Sequence, residues 1–168
     1  MFRHRNFQIW LDKSSVNAPS YEEDSSFIII PGLAGKGITF KSLNYPNRFI
    51  RHRGWLCFID KNDGSKLFKL DASFTPVRGL TGAKGSVSFE SVNYPGYYMR
   101  HAGFRVRLNK NNNSPLFKKD ATWIPTSGMY TCQAYRTLSI CIHTQWKLFI
   151  LLILSYLEKA VIFLQVCL

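Results

Sequence analysis

The sequence has few acidic residues and lacks the common metal-binding and phosphate-binding motifs. Asp and Glu total 10 against 22 Lys and Arg, so the formal net charge is +12. Hydrolysis of a glycosidic bond generally needs two carboxyl groups beside one bond, and this chain offers few candidates for such a pair. No C-x-x-C, H-E-x-x-H or G-K-[ST] motif occurs, and the four cysteines form neither a disulfide framework nor a metal pattern. We therefore expect no metal, no cofactor and no phosphate-binding loop.

The basic residues are spread along the chain and form no dense block of Lys and Arg. A soluble basic surface is the simpler interpretation of this pattern. Attraction to an anionic glycan, a nucleic acid or a membrane surface is the alternative. We do not expect nucleic acid as a partner, and we expect a monomer.

Three copies of one pattern fill the chain up to Gly128. Residues 38–79 align with residues 87–128 at a shift of 49 without a gap, and the N-terminal residues form a shorter third copy. Repeats of this length are structural units that must pack together to bury a core. We therefore place one domain at residues 1–128, with repeats at about 1–35, 36–82 and 83–128. Residues 129–168 are predicted to be a hydrophobic tail outside the domain.

Each full copy has the pattern of short β-strands separated by turns. In the second copy, alternation of apolar and polar residues predicts strands at 38–43, 49–52, 55–59 and 66–70. Cys57 aligns with Val106, which predicts a small buried apolar side chain. Gly64 aligns with Asn113, and both residue types tolerate positive φ, which fits a turn.

About four strands in each of three copies predict an all-β fold, a β-trefoil whose first repeat is truncated. Closure of the sheet removes its exposed edges, which favours a barrel over an open array. The first copy lacks its first strand, so another segment must cover that edge. The chain also begins within a copy and without the apolar stretch of a signal peptide, which indicates a fragment or a truncated gene product.

The tail differs from the repeats in composition. It contains no Gly, Pro, Asp or Asn, and residues 146–168 are long enough for a membrane helix. Glu158 and Lys159 lie near the middle of that stretch, where charge is costly. A membrane anchor, an amphipathic or buried helix, and sequence foreign to the domain are the three interpretations. The first of these interpretations would place membrane contact in residues 146–168 and nowhere else in the chain.

Polar residues repeat together with the apolar ones. Each copy has an Arg-His pair followed about 20 residues later by Asp, and copies two and three add an Asn-Tyr-Pro turn. One interpretation is that the Asp only stabilises a turn, because its side chain can accept a hydrogen bond from the backbone of the same turn. The alternative is a sugar pocket, in which a carboxylate accepts hydrogen bonds from hydroxyls, an imidazole adds another, and an aromatic ring covers the apolar face. The candidate sugar-binding residues are His4, Asp24, Tyr45, His52, Asp71, Tyr94, His101 and Asp120. One such Asp in each copy favours parallel binding pockets over one active site, so no catalytic residue is predicted.

The second and third copies resemble a known family. The pattern Ser-x-Asn-Tyr-Pro, Arg-His, Asp-Gly-Ser-x-Leu-Phe, Asp-Ala-Ser-Phe over residues 42–74 is similar to the arabinose-binding domain of fungal-type α-L-arabinofuranosidase B. The resemblance implies a β-trefoil carbohydrate-binding module for L-arabinofuranosyl side chains of hemicellulose, in a secreted protein of L-arabinose metabolism. It implies one pocket of Tyr45, His52 and Asp71 and another of Tyr94, His101 and Asp120. In the first copy His4 and Asp24 remain without an Asn-Tyr-Pro segment before them.

Three functions follow as hypotheses. The first is a binding module whose partner is an arabinose-bearing polysaccharide. The second is a fragment of a complete α-L-arabinofuranosidase, a glycoside hydrolase whose catalytic domain is absent from this chain. The third is a basic trefoil that binds anionic glycans or nucleic acid.

Overall fold

The computed structural model describes residues 1–13, 20–127 and 160–166. These residues form twelve strands and three short helices. The strands are β1 (Phe2–Arg5), β2 (Gln8–Leu11), β3 (Phe27–Pro31), β4 (Ile38–Ser42), β5 (Arg48–Arg53), β6 (Leu56–Lys61), β7 (Phe74–Arg78), β8 (Val87–Ser91), β9 (Tyr97–Ala102), β10 (Arg105–Lys110), β11 (Trp123–Ser127) and β12 (Ala160–Val166). The helices are α1 (Tyr21–Asp24), α2 (Lys66–Asp71) and α3 (Pro115–Asp120).

The chain has an all-β fold, an eight-stranded antiparallel closed barrel with extra strands, consistent with a β-trefoil-like barrel. Three hairpins, β1–β2, β5–β6 and β9–β10, are related by the sequence repeat. Their second strands β2, β6 and β10 each pair with the other two. The repeat in the sequence is therefore a repeat in the strand pairing.

Equivalent positions of the three copies supply the core. The residues that align with Cys57 are Ile9 and Val106, and all three are fully buried. The prediction of a buried apolar side chain at Cys57 is confirmed, and burial raises the pKa of its thiol to about 12. The other large core residues are Phe2, Phe27, Phe40, Ile50, Ile59, Phe74, Phe89, Met99, Leu108 and Trp123.

The predicted strand at 66–70 is wrong, because these residues form α2. Ser65 caps this helix by accepting a hydrogen bond from the Phe68 backbone N–H at 3.0 Å. Ser114 caps α3 in the same way, with Phe117 as donor at 3.1 Å. A side-chain cap satisfies a backbone donor that has no partner inside the helix, which favours a helix at this point. The predicted positive φ of Gly64 and Asn113, just before the two caps, is confirmed.

The strand β12 occupies the place of the strand that the first copy lacks. In the complete copies, β4 pairs with β3 and β8 pairs with β7 over five residue pairs each. In the same way β12 pairs with β11 over five residue pairs, from Trp123–Val166 to Ser127–Ile162, and it also pairs with β3.

The register of β12 is that of β4 and β8. Ile162 pairs with Phe27 as Ile38 pairs with Phe74 and as Val87 pairs with Trp123. The helix considered for the tail is therefore wrong at residues 160–166, which are a strand of the sheet. The two neighbouring strands explain why these residues form a strand. Without β12, β3 and β11 would each leave a row of backbone N–H and C=O groups unpaired, and β12 pairs with both. Residues 129–159 lie outside the described residues, so the domain boundary at 128 stays a prediction.

No helix within residues 1–13, 20–127 and 160–166 has the length and apolar character needed to cross a bilayer. Most of the stretch 146–168, in which one interpretation placed membrane contact, lies outside the described residues.

Candidate sugar-binding sites

Two sites with the same geometry lie where neighbouring copies meet. Site 1 consists of His4, Asp24, Asn44 and Tyr45, and site 2 consists of His52, Asp71, Asn93 and Tyr94. In each site the His and Asp come from one copy, whereas the Asn and Tyr come from the next. The site residues therefore do not group by copy as the sequence predicted.

Strand pairing between copies explains this grouping. β8 pairs with β7, and Ser91 at its end lies opposite Phe74, three residues beyond the end of α2. The Asn93-Tyr94 turn that follows β8 is thereby placed beside Asp71, the last residue of α2. β3 and β4 do the same for site 1, where Phe27 pairs with Ser42. A repeat alignment identifies equivalent residues but does not show which copies are in contact. The grouping of Tyr45 with His52 and Asp71 was therefore wrong, as was that of Tyr94 with His101 and Asp120, because Tyr45 lies beside His4 and Tyr94 beside His52.

A chain of hydrogen bonds links the three polar residues in site 2. His52 Nε2 lies 3.1 Å from Asn93 Oδ1, and Asn93 Nδ2 donates to Asp71 Oδ1 at 2.8 Å. Ser91 Oγ also donates to Asn93 Oδ1, at 2.7 Å. The neighbours of His52 Nε2 are acceptors, so this nitrogen carries the proton and donates it. A neutral ring then keeps Nδ1 as an acceptor.

Site 1 repeats this chain closely. His4 Nε2 lies 3.0 Å from Asn44 Oδ1, and Asn44 Nδ2 donates to Asp24 Oδ1 at 2.8 Å. Ser42 Oγ donates to Asn44 Oδ1 at 2.9 Å. Sequence analysis assigned Asn44 and Asn93 only to a turn. Their repetition together with Ser42 and Ser91 was the signal that could have identified them as site residues.

An exposed tyrosine lies beside the histidine in both sites. The Tyr94 ring centroid is 5.5 Å from that of His52, and the Tyr45 centroid is 5.4 Å from that of His4. Tyr94 and Tyr45 are 39% and 40% exposed, whereas His52 and Asp71 are buried. Site 2 thus presents an accessible aromatic ring above a buried His-Asp pair, and in site 1 the His is buried whereas Asp24 is partly exposed.

Burial lowers the pKa of His52, while the Asp71 carboxylate and the Asn93 hydrogen bond act in the opposite direction and Arg51 adds to the lowering. The pKa of His101 is lowered by burial and, less, by Arg100, against the effect of Asp120. Both imidazoles are therefore neutral near pH 7, in line with the donor assignment in site 2.

At site 3, the described residues supply His101 and Asp120 but no Asn-Tyr segment beside them. His101 Nε2 lies 3.5 Å from Asp120 Oδ1, as in the other sites. The register of β12 places Val166 where the other sites have Ser42 and Ser91. Within the described residues, the Ser of the hydrogen-bond chain is thus replaced by Val at this register position.

The arginine before the histidine has different partners in sites 2 and 3. In site 3, Arg100 donates to Asp120 Oδ2 at 2.6 Å. In site 2, Arg51 pairs instead with Asp60 at 3.1 Å, and the described residues leave Asp71 Oδ2 without a hydrogen-bond donor. Asp71 is therefore the carboxylate best placed to accept a hydrogen bond from a ligand.

Within the described ranges, no group of three or more His, Cys, Asp or Glu residues could hold a metal ion.

These features define a class: an all-β barrel domain built from sequence repeats, with equivalent polar sites where its copies meet. The chain belongs to the alpha-L-arabinofuranosidase B (ABFB) domain family, which it matches over residues 1–102 and 77–143. The resemblance found in the second and third copies is thereby confirmed.

Similar proteins include a probable alpha-L-arabinofuranosidase B from Aspergillus clavatus, 37% identical over 44% of this chain and 15% of that protein. The alpha-L-arabinofuranosidase B of Aspergillus kawachii is 35% identical over 46% of this chain and 15% of that protein. A crystal structure of an arabinofuranosidase complexed with arabinofuranosyl-alpha-1,2-xylobiose superimposes with a TM-score of 0.60 at 27% identity, over 71% of this chain and 26% of that one. The matched region thus spans a small part of each relative.

Proposed function

We propose that this domain is a carbohydrate-binding module that recognises L-arabinofuranosyl side chains of hemicellulose through sites 1 and 2. The observation that carries the proposal is the His-Asn-Asp chain, which occurs twice with the same hydrogen-bond distances and with an exposed Tyr beside it. Membership of the ABFB family supports it, as does the sugar in the structure of the arabinofuranosidase relative. The same proposal takes the barrel as a complete β-trefoil, with β12 as the first strand of copy one.

The residues of site 2 have distinct roles in this proposal. Asp71 Oδ2 accepts a hydrogen bond from a sugar hydroxyl, and the neutral His52 ring accepts another at Nδ1. Tyr94 covers the C–H face of the ring, as aromatic side chains do for apolar surfaces. Asn93 holds both His52 and Asp71 in position and thereby fixes the spacing of the two polar contacts.

Two sites on one domain increase binding to a branched polysaccharide. A single-sugar site with millimolar affinity contributes about −4 kcal/mol. Binding of a second side chain on the same polymer is then intramolecular, which raises the overall affinity without any new contact. We propose that site 3 contributes little, because Arg100 occupies its carboxylate and Val166 stands at the register position of Ser42 and Ser91.

Titration of soluble arabinoxylan tests the proposal. The double variant Asp24→Ala, Asp71→Ala should lose binding, and either single variant should lose the avidity that two sites provide. Asp120→Ala is the matched control and should bind as the wild type does. Equal binding by the double variant and the wild type would refute the assignment of sites 1 and 2.

Salt dependence separates sugar recognition from the third hypothesis. Binding to an anionic glycan or nucleic acid through a charge of +12 would weaken steeply as salt is raised. Binding to neutral arabinoxylan through sites 1 and 2 should be nearly unchanged between low and high salt.

The similarity to arabinofuranosidases favours a second proposal, that this domain belongs to a longer protein with α-L-arabinofuranosidase activity. The matched region is 15% of the length of the curated relatives. Mass measurement of the natural protein tests this, because a catalytic domain in the same chain would increase the mass well above 19.4 kDa.

A further inference from the structure

Each hairpin has an aromatic residue at its tip in a backbone conformation that aromatic residues rarely adopt. Phe7, Trp55 and Phe104 occupy the second position of the two-residue turns, with φ of 62°, 66° and 60°. A bulky side chain is strained in this left-handed region, whereas Gly is not. Strained residues of this kind cluster at functional sites. The same strained aromatic position in all three copies therefore calls for a reason other than the turn itself.

In two copies the aromatic residue at the tip extends a sugar site. The Trp55 ring centroid is 5.1 Å from that of Tyr94 in site 2, and the Phe7 centroid is 5.5 Å from that of Tyr45 in site 1. Phe104, in the third hairpin, is 68% exposed. Phe7 thus lies at the edge of site 1 and Trp55 at the edge of site 2, each next to the exposed tyrosine of that site.

The two extended sites differ in what lies against the aromatic residue. In site 1 the Arg48 guanidinium lies 3.8 Å from the centroid of the Phe7 ring. The residue that aligns with Arg48 is Tyr97, whose ring is stacked on Trp55 with centroids 5.1 Å apart and planes inclined by 20°. Site 2 is therefore bordered by an aromatic pair, whereas the aromatic ring beside site 1 is covered by a cation.

The aromatic pair also lines a groove. Trp55 and Tyr97 lie along an open groove of about 510 Å³, which Arg100, Asn109, Lys110 and Asn112 also line. Trp55 is 46% exposed, so its side chain remains accessible beside the groove. We call this feature the Trp55 groove. It adjoins site 2 through the contact of Trp55 with Tyr94.

We propose that the Trp55 groove binds a pyranose unit of the polysaccharide main chain whose arabinofuranosyl branch occupies site 2. Aromatic faces suit the C–H surface of a pyranose ring, and amide and ammonium groups suit its hydroxyls. Site 2 then recognises a branch point, whereas site 1 recognises the arabinofuranosyl group alone. This inference rests on the proposed function, because it assigns the branch to site 2.

The test compares a branched ligand with a simple one in the full chain. The Asp24→Ala variant removes site 1, and calorimetric titration then measures site 2 with methyl α-L-arabinofuranoside and with arabinofuranosyl-α-1,2-xylobiose. The trisaccharide should bind about fivefold more tightly, the size of one added aromatic contact. Adding Trp55→Gly should abolish this preference and leave the affinity for the methyl glycoside unchanged.

Two further variants show that any effect is specific. Trp55→Gly relieves the left-handed strain, so its thermal midpoint should not fall, and Trp55→Phe should retain part of the preference. Phe104→Gly makes the same backbone change in the third hairpin and should leave both affinities unchanged.

The outcomes separate this inference from the proposed function. If site 2 binds the methyl glycoside but Trp55→Gly leaves the preference for the trisaccharide intact, or weakens both ligands equally, the Trp55 groove is not a subsite. If the Asp24→Ala protein binds neither ligand, the proposed function fails and this inference fails with it.

Discussion

His52 is a neutral imidazole in the folded protein because it is buried. In the unfolded chain a histidine has a pKa of about 6.5, and burial lowers this value for His52. Between the pKa of the folded protein and that of the unfolded chain, the unfolded chain binds more protons than the folded protein, so a fall in pH favours unfolding. The stabilising contribution is complete above about pH 6.5 and is lost as the pH falls through the pKa of the folded protein. His101, whose pKa is also lowered, acts in the same direction.

We therefore expect the free energy of unfolding to decrease from neutral pH to pH 5, and the His52 ring to titrate below its usual value. Urea unfolding at both pH values measures the first, and NMR titration of the imidazole protons measures the second. The His52→Gln variant should show a smaller pH dependence. A His52 pKa at or above the unfolded value would contradict the assignment of a neutral Nε2–H donor.

The close approach of each His to the Asp of its own copy could be predicted from the sequence, because turn chemistry alone does not require His at the same place in each copy. The role of Asn93 could not, since Asn is ordinary in a turn and its side chain could have bonded its own backbone. The grouping of residues between copies could not be predicted either. The Asn44-Tyr45 segment lies beside His4 of the preceding copy, and the Asn93-Tyr94 segment lies beside His52.

At the scale of elements, α2 and α3 are the parts that sequence periodicity missed. Six residues are too few for helical periodicity to be distinguished from the alternation of a strand. The available signal was at the helix start, where Ser114 is followed by Pro115 and where Ser65 holds the same place in the preceding copy. These caps bear on the proposed function because α2 ends at Asp71 and α3 ends at Asp120.

Removing the Ser cap of α2 or of α3 should lower the stability of the domain, but only removal of the α2 cap should weaken sugar binding at site 2. We expect Ser65→Ala and Ser114→Ala each to lower the free energy of unfolding by about 1 kcal/mol. Ser65→Ala should also weaken binding of methyl α-L-arabinofuranoside at site 2, because α2 positions Asp71. Urea unfolding and titration measure the two effects. Equal effects of both variants on site 2 would show that the cap does not position the aspartate.

At the scale of the whole molecule, β12 completes the ring of copies. The barrel could be predicted because strand alternation and the repeat agree, but β12 could not. A continuous apolar run does not distinguish a helix from a buried strand, and its length favoured a helix. The strands β3 and β11 decide between the two, because β12 pairs with both of them. Their edges come together only when the barrel assembles, so the sequence of the tail alone does not show this.

Truncation before Ala160 should therefore destabilise the domain. The five pairs with β11 and three pairs with β3 would be lost, and with a net contribution near 1 kcal/mol for each hydrogen bond we expect a loss of about 3 kcal/mol or more. Comparison of urea unfolding for chains ending at residue 159 and at residue 166 measures the loss. Equal stability of the two chains would mean that β12 does not hold the barrel closed.

The position of β12 also has a consequence for synthesis. Of the described strands it is the last to leave the ribosome, yet it pairs with β3, which belongs to the first copy. The copies can form their hairpins as they emerge, but the ring stays open between β3 and β11 until Val166 is released. Closure of this domain therefore comes after all of its other described strands have emerged, and until then its first copy presents an unpaired edge to chaperones and to other nascent chains.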